Sequence, residues 1–279
     1  MPEVAGPEPV FRSRIRRLGD YVRAFRVFHR DSTAAEMSYS GNLAAGVVLS
    51  LFWMIWAIVG LRLFFIHVPS LHGWNFDEAL LVLALFFTVN GVRQALFQPN
   101  MKRMTQYIQQ GTLDLFLVKP ISTQFLVSFR YINAVSWTDC GWGILLAVYA
   151  LVRVGYVPSL QDVVQFICLL AAAVVLLYCL SFGLQTLTLW TVQSKGLDDL
   201  VHAILEISRY PTYFYGSTVG FLFKTVVPVA FLTTVPSEAL LGHQGWATVL
   251  AAAALAAVSV AITRGMWVLA LRSYQGVSG

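Results

Sequence analysis

Residues 163–194 contain no charged side chain, and neither do the 25 residues of 37–61. A bilayer span needs about 20 mainly apolar residues. Each run is therefore long enough to cross a membrane, where a lone segment satisfies its own backbone by folding as a helix. The rest of the 279 residues shares the bias: 57% of the chain is hydrophobic, 12% is charged, and mean hydropathy is +0.68. Soluble domains carry about 25% charged residues. So few charges cannot cover a water-facing surface, which excludes a soluble globular enzyme. The same apolarity excludes a disordered chain.

By this criterion spans fall at 37–61, 79–99, 124–152, 163–195 and 239–263. Between 196 and 236 the pattern weakens. Residues 196–215 have helical apolar content but hold Asp198, Asp199, His202, Glu206 and Arg209. Residues 210–236 are apolar but punctuated by Pro211, Gly216, Gly220, Pro228 and Pro236. Either 196–215 spans and 216–236 dips in and returns, or 196–210 lies at the surface and 212–235 spans. The Gly and Pro spacing fits two short half-helices better, so the first arrangement is preferred. Both predict an all-α polytopic membrane protein with six transmembrane helices over 37–272 and a short tail, 273–279.

The net charge of +5 points to no nucleic acid, because seven of the nineteen Lys and Arg cluster between Arg12 and Arg30. Phe11, Ile15, Leu18, Val22, Phe25 and Phe28 recur at helical spacing between those arginines. The spacing predicts that 1–36 form a basic amphipathic helix lying against membrane lipids. Basic flanks stay cytoplasmic, which puts both termini inside the cell. The charged start lacks the apolar core of a signal peptide. Cys140, Cys168 and Cys179 sit in apolar runs without CxxC spacing, so neither a disulfide framework nor a metal site is expected.

No GxxxxGK[ST], HExxH or GxSxG occurs in the chain. ATP is therefore not cradled here by a Walker A loop. No catalytic residue is assigned, and the chain is not expected to be an enzyme.

The polar stretch 100–120 reads NMKRMTQYIQQGTLDLFLVKP. Met101, Met104 and Ile108 share one helical face, with Lys102, Arg103 and Gln106 on others, and Gly111 supplies a stop. A short amphipathic helix between two spans suits docking into a groove of a soluble partner; an ordinary loop with snorkelling basic residues is the alternative.

The run Gly111-Thr112-Leu113-Asp114-Leu115-Phe116-Leu117-Val118-Lys119-Pro120 resembles the G-x-L-D-x-x-L-x-K-P element of ABC-2 type permeases, in their branch of uncharacterised ABC-2 family transporter proteins. Tyr210-Pro211, Tyr215-Gly216, Val227-Pro228-Val229-Ala230-Phe231, Pro236 and Leu240-Leu241-Gly242 are similar to that branch's run before the last span. The resemblance implies a type V exporter-like permease in the cell (inner or plasma) membrane. It implies two cytoplasmic ABC ATPase subunits, which bind the ATP and Mg, and a second permease subunit, identical or homologous. It also implies a coupling region at 100–120, with Met101, Arg103, Met104, Ile108, Leu113 and Asp114 as ATPase-coupling residues, and an external re-entrant helix pair at 216–236. Most such systems export lipids, glycans or drugs.

Ionisable residues inside spans are costly and suggest function. Asp139 lies within the third expected span, nine residues after Arg130, or about 13 Å along one helix axis. Asp199, His202, Glu206 and Arg209 form a stripe at spacings of 3, 4 and 3. Asn90, Gln185 and Thr188 are milder cases. These residues are either internally satisfied helix contacts or the lining of a substrate route. Several tryptophans fall near span ends, as an interfacial belt requires, while Phe52, Trp53 and Trp56 in the first span are placed to touch an apolar substrate. The reading that follows is an exporter permease for an amphipathic substrate; a secondary transporter, a channel or a membrane scaffold are the rivals.

Overall fold

Local chemistry sets the helix ends in the computed structural model, which describes residues 18–37, 40–191, 196–215 and 229–274. Helix α1 (Leu18–Met37) precedes α2 (Ser40–Phe64). A short antiparallel ladder follows, β1 (Ser70–Leu71) against β2 (Trp74–Asn75), turned by His72 (φ 51°) and Gly73 (φ 85°). Positive φ at both turn residues is what a type I′ two-residue hairpin connection requires. Asn75 then starts α3 (Phe76–Val92): its Oδ1 accepts the Glu78 amide at 2.9 Å, and Glu78 Oε2 accepts the Asn75 amide at 3.0 Å. This reciprocal cap satisfies two donors that a helix start leaves unpaired.

Among the described residues five helical stretches are long and apolar enough to cross a membrane: Ala44–Phe64, Phe76–Gln109, Trp137–Val154, Leu160–Thr191 and Trp246–Ser273. The second is 34 residues long, about 51 Å of helix at 1.5 Å per residue. A hydrocarbon core is about 30 Å thick, so this rod projects from one face, the lower end of the bundle. It consists of α3, a π-helical turn (Arg93–Phe97) and α4 (Gln98–Gln109). The first part of the polar stretch, up to Gln109, is thus a continuation of the second expected span.

The third expected span, 124–152, is not one helix. After α5 (Asp114–Leu117), the short α6 (Thr123–Phe129) is separated from α7 (Trp137–Val154) by non-helical residues 130–136. Hydropathy is blind to this break, because its backbone is satisfied by protein. Tyr131 N donates to Asn100 Oδ1 at 2.9 Å, and Asn100 Nδ2 donates to Tyr131 O at 2.6 Å. Asn133 N donates to Ala95 O at 2.9 Å, in the π-helical turn, and Ile132 N to Ser32 Oγ of α1 at 3.3 Å. Irregular backbone at this depth survives only with such cover. Arg130 and Asp139 therefore do not share a helix axis, and Asp139 sits in the first turn of α7 rather than mid-span.

Helix α3 is the axis of the bundle, with every residue from Ala79 to Gly91 buried. It packs along α7 through small residues. A Cβ on Gly91 would meet Cys140 N and Sγ at 2.7 Å, and one on Gly143 would meet Thr88 N at 2.7 Å. Such close backbone approach is how membrane helices gain packing contact. Helix α8 (Leu160–Thr186) packs along the last helix, α12 (Trp246–Ser273), after the one-turn α9 (Thr188–Thr191). Helix α1 sets Tyr21 against Phe125 and Phe25 against Phe129 of α6, with ring centroids 4.9 and 6.4 Å apart.

The segment 196–215 holds α10 (Leu197–Ile207), 11 residues long, about 16 Å of helix. The segment runs from Asp198, beside Gln98 and Lys102, up to Tyr213, beside Trp74 of the hairpin, and so passes along the bundle as a broken helix rather than one span-length helix. A 3₁₀ turn (Thr212–Tyr215) follows, and the chain is described again from Val229–Phe231 into α11 (Thr234–Leu240). Residues 216–228, most of the expected re-entrant pair, lie outside the described residues, as do 1–17 with Phe11, Arg12, Arg14, Ile15, Arg16 and Arg17.

Candidate functional site

The break before α7 leaves room beside α3. There a cavity of about 670 Å³ opens between α2, α3, the start of α7 and α10. Asn90, Asp139, His202, Glu206 and Arg209 line it, beside Ser50, Trp53, Trp56, Phe86, Phe87 and Gln94. The structure thus brings together three segments far apart in sequence: Asn90, Asp139 and the His202–Arg209 stripe. Gln185 is not among them. It is buried in α8, and its Nε2 donates to Thr105 Oγ1 of α4, which ties those two helices. Thr188, at the start of α9, is fully buried and donates to Gln185 O at 2.7 Å. Asp199 is exposed on α10 and does not line the cavity.

Two charged centres face the cavity. Asp139 accepts from Ser50 Oγ of α2 and, at 3.1 Å, from Gln94 Nε2 of the π-helical turn. A single nitrogen of Arg209, Nη2, donates to Glu206, 2.8 Å from Oε1 and 2.7 Å from Oε2, with His202 Nε2 3.7 Å from Oε1. Arg209 also lies over the Phe86 ring, 5.0 Å from its centroid. The aromatic groups supply an apolar wall: Trp53 and Trp56 of α2 are 56% and 63% exposed.

Below the cavity, Asn90 begins a polar chain that descends to α4. Arg93 is 3% exposed; its Nε donates to Asn90 Oδ1 at 3.3 Å, and its Nη1 lies 3.4 Å from Asp198 Oδ1. Asp198 also accepts from Gln98 Nε2 at 2.9 Å and faces Lys102 Nζ at 3.8 Å. A buried guanidinium is tolerable only with such partners. Asp199, the aspartate of the expected polar stripe, makes none of these contacts. The signal for Asp198 was Arg93, a lone cation in an apolar span that requires an acid, but which of two adjacent aspartates faces it is a question of helix rotation.

The expected coupling residues divide. Met101, Met104, Ile108 and Leu113 are buried in the chain's own core, against residues such as Phe116, Phe182 and Trp267. The Met101–Met104–Ile108 face, expected to meet a partner, packs in this chain against Leu126 of α6, Phe182 of α8 and Trp267 of α12. Arg103 is half-buried with its guanidinium 3.7 Å from the Tyr131 ring centroid, and Asp114 is half-buried at the start of α5. What the lower end exposes is Lys102, Gln106, Gln109 and Gln110 of α4, with Leu115 and Val118 at 63% and 81% exposure.

Comparison with protein families supplies the frame for this geometry. The model of the ABC-2 family transporter protein matches residues 51–278. The chain belongs to the ABC-2 transporter family. No curated protein and no solved structure matches it. This ABC-2 protein is a multi-pass membrane protein and a permease component of an ABC-type transporter, a family whose members partner an ABC ATPase. The match begins within α2 and takes in every later element of the cavity and of the polar chain beneath it.

Proposed function

We propose that this permease exports an amphipathic, lipid- or drug-like substrate, driven by ATP hydrolysed with Mg on two separate cytoplasmic ATPase subunits, and that it works beside a second permease subunit, identical or homologous. The chain itself contributes no catalytic step. Its lower end faces the cytoplasm with both termini, and α1 lies along the inner lipid surface.

One observation carries the reading. A single continuous rod, Phe76–Gln109, holds cavity residues Phe86 and Asn90 in its middle and exposes Lys102, Gln106 and Gln109 at its projecting end. A push on that end is transmitted rigidly toward the cavity, and the Arg93–Asp198 contact couples α10 to the same motion. The ATPase docks on the exposed side of 100–120, with Leu115 and Val118 as apolar anchors. Nucleotide acts by binding one arrangement of the ATPase pair more tightly, which shifts the permease between states.

The test is transport by the intact assembly. Vanadate, or a Walker-lysine substitution in the partner ATPase, is expected to abolish export. Export that continues without hydrolysis would instead mark a secondary transporter or channel; full assembly without any transport would mark a scaffold.

A further inference from the structure

The cavity's charges do not balance. Its ionisable lining consists of Asp139, His202, Glu206 and Arg209. Glu206 and Arg209 neutralise one another at 2.7 Å, and His202 stands beside that pair. Asp139 is different. Its carboxylate accepts only from neutral donors, Ser50 Oγ and Gln94 Nε2. Among the described residues it forms no ion pair. The start of α7 adds a partial positive charge, which is no counter-ion. An acid without a counter-ion thus faces an open cavity at the start of a membrane helix, where such a group is costly unless something answers it.

The surroundings describe what answers it. On α2, Gly46, Ser50, Trp53 and Ala57 are spaced 4, 3 and 4 and all line the cavity, so they share one face. Trp53 is therefore one turn above the serine that binds Asp139, about 4.5 Å along the axis. Indole faces attract cations, and more so away from water. An anion would instead meet the Asp139 carboxyl group and aromatic faces, while Arg209 is already engaged by Glu206.

We propose that this cavity binds an amphipathic organic cation, with its charge against Asp139 and its apolar body against Trp53, Trp56 and Phe87. The proposal rests on the exporter reading and names the class of its substrate. The cavity volume of about 670 Å³ is within the range of drug-sized ligand sites.

The test uses a pair of probes of equal shape and opposite charge, tetraphenylphosphonium and tetraphenylborate. Binding is measured by equilibrium dialysis on the full chain in zwitterionic-lipid nanodiscs, with empty nanodiscs subtracted. The phosphonium is expected to bind about tenfold or more tighter than the borate, as a charge-assisted contact requires. Asp139→Asn is expected to erase that preference and Asp139→Glu to keep it. Trp53→Leu, at a lipid-exposed position, is expected to weaken phosphonium binding about 2- to 5-fold. Equal binding of the two probes, preference for the borate, or unchanged phosphonium binding in Asp139→Asn overturns the proposal. If Asp139→Asn does not yield folded protein, the wild-type ratio and Trp53→Leu decide. No ATPase is present in this measurement, so its failure is distinct from a failure of ATP coupling.

Discussion

Arg93 Nη1 lies 3.4 Å from Asp198 Oδ1, across the boundary between the central rod and α10. The arginine is 3% exposed, so it depends on this contact far more than the partly exposed aspartate does. Removing one partner of a buried pair costs about 3–5 kcal/mol, because the other is left charged and alone. Asp198→Ala is therefore expected to lower the thermal midpoint of the detergent-purified chain sharply. Replacing both residues with apolar ones, Arg93→Met with Asp198→Leu, is expected to recover the midpoint while export stays impaired, since the link to α10 is gone. Full export by the double variant would show that the contact is structural only.

The exposed part of 100–120 is expected to behave unlike its buried part. Leu115→Asp with Val118→Asp leaves the chain monodisperse in size-exclusion chromatography but removes co-purification of the ATPase. Met104 is fully buried, so Met104→Asp places an unpaired charge in the core and is expected to deplete folded protein from the membrane altogether.

Gly143 faces Thr88 and the Ala84 carbonyl so closely that no side chain fits without backbone movement. Gly143→Leu is expected to cost about 1–3 kcal/mol through overpacking, read as a lower thermal midpoint. A substitution at Gly141 on the same helix, where an added Cβ meets nothing within 4 Å, is expected to leave the midpoint within error.

Asn100 makes three hydrogen bonds, to Leu96 O, Tyr131 O and Tyr131 N. Asn100→Leu leaves two polar backbone groups of Tyr131 without that partner, at about 1–3 kcal/mol for each that stays buried and unpaired. Hydrogen exchange across 130–136 is expected to accelerate in this variant ahead of exchange in α3; uniform acceleration would mean that the break does not depend on Asn100.

Much of the architecture was legible in the residues themselves. The membrane class follows from the uncharged runs at 37–61 and 163–194, because transfer into lipid is a sum over individual side chains and needs no partner. The family was legible in Gly111–Pro120 together with the Tyr210–Gly242 run for a related reason: local motifs are complete without the rest of the fold. Several cavity residues were also visible, since a polar group such as Asp139 or Glu206 stands out in an apolar segment wherever it finally points.

Direction and continuity were decided only in three dimensions. The apolar face of α4 was correctly periodic, yet periodicity says that a face is buried and not what buries it; α6, α8 and α12 arrive there from distant parts of the chain. The interruption at 130–136 has ordinary span hydropathy, and it exists because Asn100, Ala95 and Ser32 offer hydrogen bonds at that height. Asp198 and Asp199 are chemically identical neighbours, separated by about 100° of helix rotation, and only the first meets Arg93. Composition determines which medium surrounds the chain, because solvation is local. Which side chains meet depends on contacts between segments remote in sequence, and those are made only when the helices pack.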